Sequence, residues 1–600
     1  MSGIVLLLIG LVALVLGYIL YGGWLVKKWG VGEGPETPAH TMNDGKDYVP
    51  AKAPVLLGHH FSSIAGAGPI NGPIQAAIFG WLPVFLWVVI GGIFFGAVHD
   101  FGSLFASVRH GGKSVGYIIE KNVGARAKTL FLIFAYLVLL LVVAAFGSIV
   151  IGTFTSTAME EVAVEAPATE EAAADEAAAD EAATDEAAEE AAPVETQKVY
   201  TAAAKANGST ATTSLLFIIV AMVFGFFVYR KNAPMAVSTI LGVAGIIICI
   251  IIGLKFPLMG VNADIWMLVV FAYIFVASIA PVWILLQPRD YLNSFLLYGM
   301  IVAAVIGVFF TNPTINLPAF TGFGGINGNS QLFPVLFITV ACGAISGFHS
   351  LVGSGTSSKQ LDREKDAKVI GYGGMLIECA LAIIALIAVG MLFKDGAMPK
   401  GTPVNVFATG VATMLSALLG DASYTVAYNI ITLAFSAFCL TSLDTATRLA
   451  RYMFQEFFVG EDGAEAVNVA GWRKFLANPY VATLITVVVG ALLARGGYAA
   501  IWPLFGAANQ LLAALALLAL AAWLGNIGKS NGMLIFPMLF MLVATLSSLV
   551  ITIKNQFAII TTAATSAAWL QLIFAVLLVV LAVLLAIEGC QTIFGKKKKA

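Results

Sequence analysis

The stretch HHFSSIAGAGPINGP, His59 to Pro73, interrupts an apolar run of membrane length. Gly66, Gly68, Pro69, Gly72 and Pro73 fall within eight residues. Proline removes a donor from the helical ladder and glycine loosens the backbone, so one regular helix cannot pass through. Broken backbone at membrane depth persists only where protein buries it or where it lines a cavity. The freed amides and carbonyls are therefore expected to face a ligand or an ion, with a plain re-entrant turn as the structural alternative.

The rest of the chain supports a membrane setting for this break. Of 600 residues 59% are apolar and 11% charged, which leaves too little polarity for a water-facing surface and excludes soluble enzyme folds. A spanning helix needs about 20 mainly apolar residues. About fifteen such runs can be counted between residues 4 and 589, including 60–80, 213–229, 265–286, 332–352, 369–393, 424–443 and 499–524. The expected fold is an all-α polytopic membrane protein. Lys and Arg fall in alternate loops: Lys27, Lys28, Arg109, Lys113, Arg230, Arg289, Arg363, Lys365, Arg448, Arg473 and the run Lys596 to Lys599 share one side. The positive-inside rule then sets the N-terminus outside and the C-terminus in the cytoplasm. Residues 160–195 hold 14 Asp and Glu and no Lys or Arg, in pentads such as Ala172 to Glu176 and Ala177 to Glu181, and read as a solvated, core-free outer insert within 158–212. Five cysteines, Cys249, Cys342, Cys379, Cys439 and Cys590, lack metal-finger spacing and read as free packing thiols.

Three further interruptions matter. Ala277-Ser278-Ile279-Ala280-Pro281-Val282-Trp283 places a proline in the 265–286 run, a kink by default. Gly343 to Ser358 carries six Ser and Thr plus His349, more polarity than close helix packing requires. Trp502 to Gln510 sets Asn509 and Gln510 beside Pro503 and Gly506, as glue or as cavity lining. The first break and the proline break lie five spans apart in opposite directions, as two inverted five-helix repeats would. The chain then divides into an N-terminal helix and loop (1–58), a first repeat (59–256), a second repeat (257–460) and C-terminal helices with a basic tail (461–600).

HHFSSIAGAGPINGP from His59, QPRDYL from Gln287, GAISGFHSLVGSGTSSKQ from Gly343, TSLDTATRLARYMFQE from Thr441 and WPLFGAANQLLAALAL from Trp502 together resemble the carbon starvation protein (CstA) family. The resemblance runs from about His59 to Leu517; Asn71 and Gly353 stand where the family pattern has Val and Ser. It implies a bacterial inner-membrane carrier of the amino acid-polyamine-cation superfamily with a LeuT-like fold. Such a carrier imports peptides or pyruvate with protons, or alternatively with sodium, and requires no cofactor and no nucleic acid.

On that reading the substrate's carboxylate meets the amides of Gly66, Ala67 and Gly68, where a half-helix N-terminus contributes up to ~2 kcal/mol. His59, His60, Ser62, Ser63, Asn71, Ser278, Asn509 and Gln510 are candidates to complete the binding site. Thr356, Ser357 and Ser358 lie where sodium-coupled relatives hold their ion, and His349, Ser350 and Glu378 offer titratable or polar groups for a proton-coupled one. Asp100, Arg289, Asp290, Asp444 and Arg448 are candidate gate residues, Asp444 and Arg448 being an i, i+4 pair. A membrane metalloenzyme built on His59, His60 and His349 beside Glu378 or Asp100 is the rival class, without HExxH or a phosphate loop to support it. A receptor that binds without translocating would need a separate signalling partner.

Overall fold

A computed structural model describes residues 1–45, 47–163, 196–231, 233–281, 283–459, 471–563 and 565–594. The pentads of 172–186 and the Lys596–Lys599 tail lie outside these described residues. Among the described residues, twelve helices are long and apolar enough to cross a membrane. They are α1 (Gly3–Trp29), α3 (Trp81–Arg109), α4 (Ala125–Phe154), α5 (Ala202–Val228), α6 (Met235–Lys255), α8 (Leu286–Thr311), α9 (Leu332–Lys359), α10 (Glu364–Leu392), α12 (Ser423–Phe458), α14 (Ile501–Asn526), α15 (Gly532–Thr562) and α16 (Ala568–Ile593). Three shorter apolar helices are α7 (Ala263–Ile279), α11 (Pro403–Leu419) and α13 (Pro479–Ala494). One more rod, α2, comes in two pieces, α2a (Ala53–Ile64) and α2b (Gly68–Ala76). The middle of α14 is buried throughout, whereas α6 and α16 turn Ile240, Leu241, Ile573 and Val580 outward, as helices at a lipid boundary do.

The first interruption falls where the sequence places it. α2a stops at Ile64, Ala65 leaves helical geometry (φ -71°, ψ 73°), and α2b starts at Gly68 with Pro69 in its first turn, where a missing donor costs nothing. Residues 61 to 74 are all buried, so the break faces protein and not lipid. The second discontinuous helix is α9: α9a (Leu332–Val340) gives way to a 3₁₀ turn at Ala341–Gly343, Ser346 is extended, and α9b (Gly347–Gly355) resumes.

Four expectations need correction. The proline at 281 does not kink a span; it ends one, because a residue before proline is pushed out of the helical region and Ala280 sits at ψ 147°. α7 therefore stops at Ile279 and α8 begins at Leu286, so this break separates two helices. Trp502 to Gln510 runs unbroken within a helix that starts at Tyr498; Pro503 lies near its beginning, where only a single ladder bond is lost. The acidic insert is shorter than 158–212: β1 (Met159–Ala163) pairs antiparallel with β2 (Thr196–Tyr200), and helix already begins at Ala202, capped by Thr201 accepting from the Ala204 amide. Finally, α11 was not anticipated. Asn405, Thr409, Thr413 and Ser416 dilute its apolar character, and it packs on α10, α8 and α12, with Gly410 against Ala388 and Gly307 against Met414.

The loops gather into two groups of contacts. On one face, Gly32 and Gly34 amides donate to Glu364, Arg109 pairs with Glu364, His40 meets Asp362 at 2.8 Å, and Ala51 bridges Leu361. On the other, Gly3 donates to the Pro313 carbonyl, Trp81 to Pro318, and Asn316 to Gly390. The basic residues Arg109, Arg363 and Lys365 share the first face, and the N-terminus belongs to the second.

The two broken helices meet backbone to backbone. A Cβ at Gly72 would stand 2.3 Å from the Val340 carbonyl oxygen, and one at Gly68 would stand 2.5 Å from the Cys342 Cβ. Gly72→Ala should therefore lower the thermal stability of the detergent-solubilised protein by about 2 kcal/mol or more, despite alanine's better helix propensity. Gly299→Ala on α8, with nothing within 4 Å, is expected to be neutral or slightly stabilising. Equal melting of the two variants would contradict this close crossing.

Candidate functional site

Where α2 and α9 cross, each break is secured by groups from other helices. Asn509 on α14 accepts from the Phe348 amide at 2.8 Å, which satisfies an orphan donor at the start of α9b, and its own amide reaches Ser346 Oγ at 3.1 Å. Ser442 on α12 donates to the Ser63 carbonyl at 3.3 Å, and Phe146 of α4 fills the space beside Gly66. Asn509 is thus the glue that fixes the second break. Buried Gln510 is its neighbour on α14, and no partner is recorded for its side chain.

Beside this crossing lies a chain of buried ionisable groups. His99 Nδ1 is 2.7 Å from Asp100 Oδ1, Asp100 Oδ2 is 2.7 Å from His349 Nδ1, and His349 Nε2 is 3.3 Å from Glu378 Oε2. All four residues are at most 2% exposed. Asp100, a candidate gate residue, is held by both His99 and His349, because α3 and α9b pack side by side. Charges removed from water in this way are tolerated only when they compensate one another. His60 on α2a extends the polar path, with Nδ1 2.7 Å from Ser357 Oγ.

The adjacent His59 points to a second cluster. Its Nδ1 is 3.2 Å from Asp290 Oδ2, and Ser62 Oγ donates to the Asp290 carbonyl at 3.2 Å. Arg289, in the first turn of α8 and buried by protein, pairs with Asp444 and with the Tyr273 hydroxyl, and Tyr273 donates to Asp444 at 2.9 Å. The i, i+4 pair of Asp444 and Arg448 does not form. Arg448 donates to the carbonyls of Ala277 and Ala280, and Arg451 to that of Ser278, because the C-terminal end of α7 leaves those acceptors unpaired and favours cations. Ser278 accordingly belongs to this helix end and not to the crossing. A narrow cleft bordered by His59, Gln287, Thr356, Lys359 and Arg448 leads toward the cluster, with about 30 Å³ open to water.

The hydroxyls of the 350–358 segment are placed as follows. Ser350 donates to Gly347, Thr356 to Val352 and Ser358 to Ser354, each bonding its own helix, and Ser357 alone faces another element. Gly66, Ala67, Gly68 and Asn71 are buried at the first break as expected. Cys342, read as packing, lies at the second break with its Sγ within 4.8 Å of ligand atoms of His349 and Glu378. Tyr273 was not singled out at all: it sits in an ordinary apolar run, and only its spatial neighbours reveal it.

The whole chain has recognisable relatives. A family model described as carbon starvation protein CstA matches residues 2–399 and 392–548. Proteins named peptide transporter CstA are 31% identical in Campylobacter jejuni, over 91% of this chain and 79% of that one, and 33% identical in Helicobacter pylori strain 26695, over 87% and 77%. A protein of Escherichia coli named pyruvate/proton symporter BtsT is 29% identical over 80% of this chain and 71% of its own. Among solved structures, an Eremococcus coleocola manganese transporter covers 92% of this chain and 99% of its own at 11% identity and a TM-score of 0.48, too remote to inform the site. With its motifs in order and residues 2–548 matched, the chain belongs to the carbon starvation protein CstA family.

Proposed function

We propose that this protein is a secondary carrier that imports small carboxylate-bearing nutrients, peptides or pyruvate, together with protons across the bacterial cytoplasmic membrane by alternating access. The observation that carries this reading is the buried crossing of two interrupted helices at Gly68 and Cys342, with an ionisable chain set against it. The names of the relatives supply the substrate classes and the proton. The substrate carboxylate meets the Gly66–Gly68 end of α2b, and the coupling proton resides on the Asp100–His349–Glu378 chain. Sodium is the less supported alternative, because the ion in the name of the pyruvate/proton symporter relative is the proton.

The repeat frame of this reading differs from five consecutive spans. α2, α3, α4, α7 and α8 form one repeat and α9, α10, α12, α13 and α14 the other, with the α5–α6 hairpin and α11 as insertions. Paired packings support it: α2b lies on α10 as α9b lies on α3, α2a on α8 as α9b on α14, and α4 on α7 as α12 on α13. Each repeat then opens on a broken helix. α11 remains on one side in this frame, so the outside N-terminus and cytoplasmic C-terminus inferred from the charges are retained.

Uptake of labelled pyruvate and of a labelled dipeptide into proteoliposomes, with proton and sodium gradients imposed separately, tests the reading. A proton gradient should drive accumulation. His349→Ala and Ser357→Ala should each reduce it by about tenfold or more, equivalent to about 1.4 kcal/mol, while unlabelled-for-labelled exchange continues. Undiminished gradient-driven uptake in both variants would remove the ion site.

The Arg289–Asp444–Tyr273 group ties α8, α12 and α7 together and acts as the lock on the His59 side. Asp444→Asn leaves a buried guanidinium short of its partner and should cost about 3 kcal/mol or more in thermal unfolding. A loss below about 1 kcal/mol would mean that Arg289 is held elsewhere and that the lock assignment fails.

A further inference from the structure

The donor atoms at the second break have a property that proton carriage does not require. Cys342 Sγ, a nitrogen of His349 and a carboxylate oxygen of Glu378 all lie within 4.8 Å of one another, and all three residues are buried. His349 Nε2 and Glu378 Oε2 face each other at 3.3 Å without a well-formed hydrogen bond, and among the described residues Glu378 Oε1 has no hydrogen-bond partner, which leaves lone pairs directed into the cluster. The 3.3 Å between Nε2 and Oε2 matches the edge of a tetrahedron with two bonds of about 2.0 Å to a central ion.

The surroundings are those that orient metal ligands. Asp100 engages His349 Nδ1 at 2.7 Å, which fixes the tautomer and turns the Nε2 lone pair toward Cys342 and Glu378, and His99 in turn holds Asp100. Cys342 Sγ has Ser346 Oγ at 3.3 Å and the Asn509 amide nitrogen at 3.6 Å, both able to donate to a thiolate. One sulfur, one imidazole nitrogen and one carboxylate oxygen suit a borderline divalent transition metal and not Mg²⁺ or Ca²⁺, which take oxygen ligands.

We infer that Cys342, His349 and Glu378 form a binding site for one divalent transition-metal ion of the zinc class, with a fourth position left for an exogenous oxygen donor. The inference goes beyond the transport reading and is tested separately from it, and metal and proton compete for the same lone pairs of His349 and Glu378.

The test uses cobalt as a spectroscopic probe on the purified full chain after chelator treatment. Co²⁺ should bind at one equivalent with a sulfur-to-cobalt charge-transfer absorption in the near ultraviolet, and Zn²⁺ should displace it. Cys342→Ser should abolish that absorption, whereas Cys249→Ser, which alters a buried thiol on α6, should keep it. Glu378→Gln should weaken cobalt binding at least about tenfold while the absorption survives at saturation, since removing a metal's supporting groups commonly costs 10- to 100-fold. Absence of the charge-transfer band in the unaltered protein, or its persistence in Cys342→Ser, would overturn the site. If Cys342→Ser fails to fold, unchanged affinity in Glu378→Gln overturns it equally. Uptake is not part of the readout, so a failure to bind cobalt leaves the transport reading standing.

Discussion

The structure depends on a single constraint: backbone released at membrane depth has no water to bond and must find partners within the protein. Both interruptions meet that demand by facing each other. Gly68 and Gly72 let α2b approach the end of α9a to backbone distance, which no residue with a Cβ would permit. The remaining donors and acceptors are taken by distant side chains, Asn509 on the Phe348 amide and Ser442 on the Ser63 carbonyl. Two breaks held together are cheaper than two breaks held apart, because each supplies part of the protein wall that shields the other.

Charge follows the same logic one layer out. The consecutive residues His59 and His60 point from one half-helix to two clusters, His59 toward Asp290 beside Arg289 and Asp444, and His60 toward Ser357 near the Asp100–His349–Glu378 chain. A helix turns about 100° per residue, so adjacent positions reach different neighbours. α2a thereby joins a group suited to holding helices together and a group suited to binding a small cation.

Much of this was legible in the sequence, and the failures have physical causes. Glycine and proline density located the first break to within a residue or two, since those residues act locally. The reading of Pro281 failed because the same local rule ends a helix as readily as it kinks one, and only the turn that follows decides. α11 escaped because Thr and Ser that bond their own helix look polar in a linear scan, as Thr413 donating to Thr409 does. Glu378, His349 and Asp100 were found as ionisable residues in apolar runs, but the chain they form was not, and Cys342 was read only as packing, because contacts between α3, α9 and α10 are not encoded in spacing along any one of them. The i, i+4 reading of Asp444 and Arg448 was overridden by the unpaired carbonyls at the end of α7, a tertiary demand invisible from α12 alone.

The four half-helices are not attached alike, and the difference bears on movement. α9b is pressed onto α14 so closely that a Cβ at Gly347 would stand 2.3 Å from the Asn509 carbonyl, and α2b is pressed just as closely onto Val340. Such contacts consist of dispersion and shape and cannot be exchanged for water without opening a void. α2a adds polar links to its apolar packing: Phe61 stacks on Tyr298 and Leu56 and Ile64 lie in the core, while His59 meets Asp290, His60 meets Ser357 and Ser62 donates to the Asp290 carbonyl beside a narrow cleft. Water can replace a hydrogen bond at small net cost, because the groups remain bonded throughout. The polar links of α2a can thus be traded for solvent one by one, whereas its apolar contacts with Tyr298 and the core, like those of the packed crossing, cannot.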